Sequence, residues 1–128
     1  MHLWVGAMAI LLFILTGQYM ARMANVPELA DMDRLLYRSN HIYLLLAAIV
    51  NVAVGSYMAG KPDLKPVQRI CSYLLLSLPV LLAYSFFVEP RAGDLERPIT
   101  QASLFLAFGI AVLLITREIF QYFKGRRR

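Results

Sequence analysis

The chain has 128 residues, of which 59% are apolar and 16% charged, with a net charge of +5 and a mean hydropathy of +0.59. This composition is too apolar for an ordinary soluble domain, and the length leaves room for one domain. The basic residues cluster at the ends of apolar runs, so we expect no nucleic-acid partner. The single cysteine, Cys71, cannot form an internal disulfide or a multi-thiolate metal site.

Apolar runs without a charged residue occur at positions 1–21, 39–60, 70–88 and 98–116. An α-helix rises about 1.5 Å per residue, so roughly 20 apolar residues cross the hydrocarbon core of a bilayer. We therefore predict an all-α integral membrane protein, a four-transmembrane-helix bundle in which residues 1–128 form one domain. The predicted helices cover about residues 2–22, 39–60, 68–88 and 98–123.

The loop after the first run, at positions 22–38, has a helical pattern of its own. Pro27 suits a first helical position, Glu28 suits a first turn, and apolar residues recur at helical spacing from position 29 to 36. We expect a short amphipathic helix that lies on the membrane surface.

The second run carries a stripe of small residues with one amide. Ala47, Asn51, Gly55 and Ala59 recur every fourth residue and so share one face of a helix. Small side chains allow another helix to approach closely, and an amide near the bilayer midplane should face protein rather than lipid. We predict that this stripe is a helix-packing surface.

The third run has a proline and a polar stripe. Pro79 should kink the helix because it removes one backbone hydrogen bond. Tyr73, Ser77 and Tyr84 fall on one side of the same helix, and we expect this side to face the interior of the bundle.

Four crossings place both termini on the same side of the membrane, and the basic residues indicate which side. The side of the termini has Lys61, Lys65, Arg69, Arg117, Lys124, Arg126, Arg127 and Arg128. The other side has Arg22, Arg34, Arg38, Arg91 and Arg97. This difference favours a cytoplasmic location for both termini, in a bacterial inner membrane.

Polar residues gather at the end of the bundle away from the termini. They are Thr16, Gln18, Asn40, His41, Glu89, Thr100 and Gln101. A histidine at the membrane rim beside a carboxylate can relay protons, bind a metal or donate a hydrogen bond to a quinone. It can also be an interfacial residue that bonds only to its neighbours. His41 and Glu89 are thus the centre of the candidate site.

The predicted membrane topology excludes a haem held by two histidines, because it places His2 and His41 about 30 Å apart. His41 could instead bind haem, with Met20 or Met23 and with Glu89 nearby. His41 could also bind Cu(I), which favours imidazole and thioether ligands, together with Met20, Met23 or Met32. The sequence requires neither cofactor.

No acidic residue lies inside a predicted membrane span, and no nucleophile motif or carboxylate pair appears, so we do not expect an enzyme. The main hypothesis is a non-catalytic accessory, assembly or self-associating subunit, in contact with membrane lipid and forming a homo-oligomer or joining a larger membrane complex. One alternative is a haem- or copper-binding redox protein centred on His41. Another is a dimeric transporter or channel lined by Asn51, Ser77 and Tyr84.

Overall fold

The structure is a computed structural model that describes residues 1–59, 66–91 and 96–125. This part of the chain is helical, with α1 (His2–Arg22), α2 (Asp31–Met58), α3 (Pro66–Val88) and α4 (Pro98–Gly125). Two 3₁₀ turns, Val26–Glu28 and Glu89–Arg91, lie in the connections. Each of the four helices is long and apolar enough to cross a membrane. The predicted all-α fold with four such helices is confirmed.

The separate amphipathic helix predicted between the first two runs is not formed. Asn25 adopts a left-handed conformation with φ of 44°, Pro27 lies in the 3₁₀ turn, and α2 begins at Asp31. No proline or glycine separates Asp31 from the apolar run, so the helical pattern of the loop continues without a break into the membrane span. The result is a single helix of 28 residues.

Successive helices run antiparallel: α1 packs along α2, α2 along α3, and α4 mainly against α3. We call the end of the bundle where α1 begins and α4 ends the terminal end, and the other end the loop end. Arg69 and Arg117 lie in helices at the terminal end. The basic residues Lys61, Lys65 and Arg126 to Arg128, used above to predict sidedness, lie outside the described residues.

The apolar core lies mostly between α2 and α3, where Leu44, Leu78 and Phe86 are almost fully buried. Pro79 is buried inside α3, which continues through it. The polar stripe predicted to face inward does not do so. Tyr73 is 62% exposed and Tyr84 is 59% exposed. Apolar residues on the opposite side of α3 fill the core instead, and an aromatic side chain with one hydroxyl is tolerated at a bundle surface.

Candidate functional site

Three buried polar side chains join α1, α2 and α3 at the terminal end, and we call them the His2 triad. His2 Nδ1 donates a hydrogen bond to Asn51 Oδ1 at 2.8 Å, and His2 Nε2 accepts one from Ser72 Oγ at 2.6 Å. Asn51 Nδ2 in turn donates to the carbonyl oxygens of Ala47 and Leu75, at 2.9 and 3.1 Å. Both imidazole nitrogens and the whole amide are therefore engaged within the chain.

The predicted packing stripe of α2 is shared between two neighbouring helices: Gly55 packs against α1, Asn51 bonds to α1 and α3, and Ala47 belongs to the apolar core. Ala47 and Asn51 are buried, and a Cβ atom on Gly55 would come within 2.8 Å of the backbone nitrogen of Leu3. Ala59, the fourth member, is exposed. The chain's own α1 and α3 thus cover most of this stripe.

A second polar cluster, which we call the α4 cap, lies at the loop end and joins α2, α3 and α4. Glu89 Oε1 accepts hydrogen bonds from the backbone nitrogens of Ile99 and Thr100, both at 2.9 Å. These N–H groups have no partner inside α4, because they belong to its first turn. A carboxylate here also complements the positive end of the helix dipole. Glu89 therefore caps α4 from the 3₁₀ turn that follows α3.

Asn40 and Arg97 complete the α4 cap. Asn40 Oδ1 accepts a hydrogen bond from Arg97, and Asn40 Nδ2 donates to the Ser85 carbonyl oxygen at 3.2 Å. The Thr100 hydroxyl lies 3.1 Å from Asn40 Oδ1 and donates its one proton to Glu89 Oε2, which is closer. The Arg97 Nε atom lies 3.9 Å from Glu89 Oε2 and balances its buried charge. The predicted carboxylate of the candidate site is thus used to hold α4 in place.

His41 lies on a different face of α2 from Asn40, as expected for consecutive helical residues. Its ring stacks on Phe13 with 4.0 Å between the centroids, and its Nδ1 lies 3.1 Å from Thr16 Oγ1. Thr16 donates its one proton to the Phe13 carbonyl oxygen at 3.0 Å, so its oxygen accepts from His41 Nδ1. This assigns the proton of the ring to Nδ1, and Nε2 faces the space beside Gly17.

The residues predicted to join His41 lie at different distances from it. Met32 is nine residues away on α2, or about 14 Å along the helix axis, and Met23 is 80% exposed at the end of α1. Met20 packs against the apolar core one turn beyond Thr16, which makes it the nearest of the three along the bundle. Among the described residues, no group of three or more His, Cys, Asp or Glu side chains could hold a metal ion.

The distance expected between the two histidines needs correction. His2 contacts Asn51, ten residues from His41 on α2, and His41 contacts Thr16, fourteen residues from His2 on α1, so the two rings are about 15–20 Å apart along the bundle rather than about 30 Å. The difference arises because His2 lies level with Asn51 instead of the end of α2, and His41 lies level with Thr16, more than one turn before the end of α1. The corrected distance is still too long for both rings to bind one iron.

Sequence reasoning missed the structural roles of His2, Ser72 and Arg97. A signal for His2 was present, because the buried residues of α1 are His2, Gly6, Ala9 and Thr16, which share one face of the helix. This face has the same character as the stripe of α2, small residues with a polar one, and the two faces pack together. No comparable pattern marked Ser72 or Arg97 as their partners.

A comparison with known protein families, curated proteins and solved structures found no match to this chain.

Proposed function

We propose that the protein is a multi-pass membrane protein with a non-catalytic role, an accessory or assembly subunit that associates with itself or with a larger membrane complex. One observation carries the proposal: one nitrogen each of Arg97 and Arg117 is enclosed without a hydrogen-bond partner, but every polar residue that is buried as a whole in the described part of the chain has a side-chain hydrogen bond within the chain. These residues are His2, Thr16, Asn40, Asn51, Ser72, Ser85, Glu89, Thr100 and Ser103. Most of these groups bond across helices, whereas the hydroxyls of Ser85 and Ser103 bond to carbonyl oxygens of their own helices. Side chains engaged in this way are poorly suited to act on a substrate.

The placement of α4 also supports an assembly role. This helix packs mainly against α3 and leaves Phe105, Phe108 and Phe120 more than two-thirds exposed. A cleft of about 310 Å³ also lies between α4 and α2, with Ile115 of α4 on one wall and Tyr57 of α2 on the other. In a membrane, a surface of this kind contacts lipid or another protein.

The test is the assembly state of the protein in native nanodiscs cut from the membrane with a polymer. We expect particles that contain several copies of this 14.5 kDa chain, or one copy with a stoichiometric partner. In a Cys71→Ala background, Ile115→Cys on α4 should form a cross-link to the adjacent subunit. Ile14→Cys on α1, which is similarly exposed, is the matched control and should not. Particles with one copy and no stoichiometric partner would contradict the proposal.

We further propose that both termini face the cytoplasm of a bacterial cell, as the distribution of basic residues favours. A reporter fused after Arg128 or inserted between Lys61 and Lys65 should be cytoplasmic, and one inserted near Asp94 should be external. A C-terminal reporter found outside the cell would reverse the assignment of the two ends.

A redox or metal-binding role at His41 is the second candidate, and the orientation of its ring favours it. A metal-binding histidine usually has its second nitrogen held by a hydrogen bond, as Thr16 holds Nδ1 here, and Nε2 is then the ligand atom. Protein from cells supplied with haem and copper should then show a Soret band or bound copper that His41→Ala abolishes. Colourless, metal-free protein would eliminate this candidate.

A further inference from the structure

A long groove follows the junction of α3 and α4 in the terminal half of the bundle. Its volume is about 610 Å³, and α4 lines it with Phe108, Gly109, Val112, Leu113 and Arg117, which form one stripe along the helix. Val67 of α3 forms part of the opposite wall. A smaller hollow that shares Gly109 and Leu113 continues the groove toward the middle of the bundle. The surface is apolar along most of its length.

Gly109 keeps the groove open. A Cβ atom built at this position meets no atom within 4 Å, so no neighbouring helix requires the absence of a side chain there. Glycine is otherwise unfavourable inside a helix, because it gains the most conformational freedom on unfolding. A larger side chain at this position would start from a Cβ atom without neighbours and extend into the groove.

Arg117 supplies a charge at the terminal end of the groove. Its Nη1 atom is enclosed by the protein and has no hydrogen-bond partner among the residues that the structure describes. The residue as a whole is half-buried and lines the groove, so its charge would stabilise an anion bound in the groove. Arg117 is nineteen residues after Pro98, or about 28 Å along α4, which places the two residues near opposite faces of a bilayer core.

We propose that the α3/α4 groove binds one anionic phospholipid. The phosphate accepts hydrogen bonds from the Arg117 guanidinium, and an acyl chain lies along the apolar stripe over Gly109. A cation at the membrane interface with an apolar groove running inward from it matches the shape and charge of a lipid. An anionic headgroup is favoured because it leaves a net charge to balance that of the arginine. The inference depends on the proposed membrane insertion.

The test uses protein reconstituted in vesicles with equal amounts of phosphatidylglycerol and phosphatidylcholine, and native mass spectrometry to identify the retained lipid. Wild-type protein should retain phosphatidylglycerol in preference. Arg117→Gln should reduce this preference about fivefold, the factor that corresponds to one basic residue near an anionic surface. Gly109→Leu should reduce the retention of both lipids, because its side chain fills the groove. Added inorganic phosphate should not displace the lipid, since it has no acyl chain.

Two controls make the result specific. Arg69→Gln removes an exposed charge at the same end of the bundle, and Gly109→Ala adds one methyl group that leaves most of the groove open; both should retain lipid as the wild type does. An unchanged preference in Arg117→Gln, or equal losses in Arg69→Gln, would overturn the proposal. Protein extracted from membranes by alkaline carbonate would instead contradict membrane insertion, so the two failures are distinguishable.

Discussion

The junction of α1 with α2 and the junction of α3 with α4 use glycine in opposite ways. A Cβ on Gly6 would lie 2.6 Å from Val52 Cγ2 and 2.9 Å from the Val52 nitrogen. Gly55 is equally confined by the backbone of Leu3. Gly109, in contrast, faces open space. The first junction depends on close approach of two backbones, whereas the second keeps a groove between its helices.

The polar groups reinforce this difference. The His2 triad lies at the level of Gly55 and adds hydrogen bonds where α1 and α2 are closest. The α4 cap, however, holds α4 only at the loop end, and the junction with α3 opens toward Arg117 at the other. A small bundle can therefore contain a closely packed pair of helices and a helix that contacts the core through Ile110 and Leu114 but leaves a groove along its other side.

Gly6→Leu should cause the largest loss of stability. The new side chain would have to occupy space held by the backbone of α2 near Val52, so α1 must move away and the His2 triad must stretch. Overpacking of a core costs about 1–3 kcal/mol, and we expect the upper end of this range because the obstacle is backbone. The midpoint of unfolding in detergent, by heat or by sodium dodecyl sulfate, measures the loss.

Gly109→Leu is the matched control, since it adds the same side chain to a helix in open space. It should unfold no earlier than the wild type. Equal destabilisation by the two substitutions would mean that both junctions are closely packed, and the comparison would fail.

Glu89→Ala should have the next largest effect. It leaves the backbone N–H groups of Ile99 and Thr100 without an acceptor and Arg97 without its counter-charge. Loss of a helix cap costs about 0.5–2 kcal/mol, and the unpaired groups raise the expected total to about 2–3 kcal/mol. Hydrogen exchange should show that the first turn of α4 opens more often, while α1 is unaffected.

Glu89→Gln separates shape from charge, because it retains an oxygen that can accept the same hydrogen bonds. We expect roughly half of the loss seen in Glu89→Ala. A loss of the same size in both variants would assign the role of Glu89 to its charge alone.

The four helices could be predicted because apolar length determines them. The helix-packing role of the α2 stripe stays a prediction, drawn from small residues at every fourth position. The continuous helix from Asp31 to Met58 was missed since a helical pattern at a membrane boundary fits either a separate helix or an extension. Only the absence of proline and glycine between Asp31 and Ser39 favoured the extension.

The candidate site was harder to predict because it depends on which side chains face each other. The sequence placed Asn40, His41 and Glu89 at one end of the bundle, and the structure does so too. However, neighbouring residues of a helix point about 100° apart, so Asn40 takes part in the α4 cap while His41 faces Thr16. Such pairings depend on the rotation of each helix, which composition and spacing leave undetermined.

His2→Ala tests how much the polar contacts add to the first junction. The substitution removes hydrogen bonds to Asn51 and Ser72, and bonds of this type in membrane bundles contribute about 0.6 kcal/mol on average. We expect a loss of about 1–2 kcal/mol, smaller than that of Gly6→Leu. A double-mutant cycle with Ser72→Ala should give a coupling energy of about 0.6 kcal/mol. Strict additivity would show that the two side chains do not interact in the membrane.

The smallest expected change in stability is that of Gly109→Ala, and it should be a gain instead of a loss. Gly109→Ala adds a methyl group that meets no atom within 4 Å, so it introduces no steric cost. Alanine also restricts the unfolded chain more than glycine does, and the exchange should stabilise the helix by about 0.5–1 kcal/mol. Gly55→Ala, whose new Cβ atom would lie 2.8 Å from the Leu3 nitrogen, should destabilise the protein instead. Unfolding midpoints of the two variants in the same detergent check the prediction. If Gly109→Ala were also destabilising, the groove would have to be closed in the folded protein, and a lipid could not occupy it.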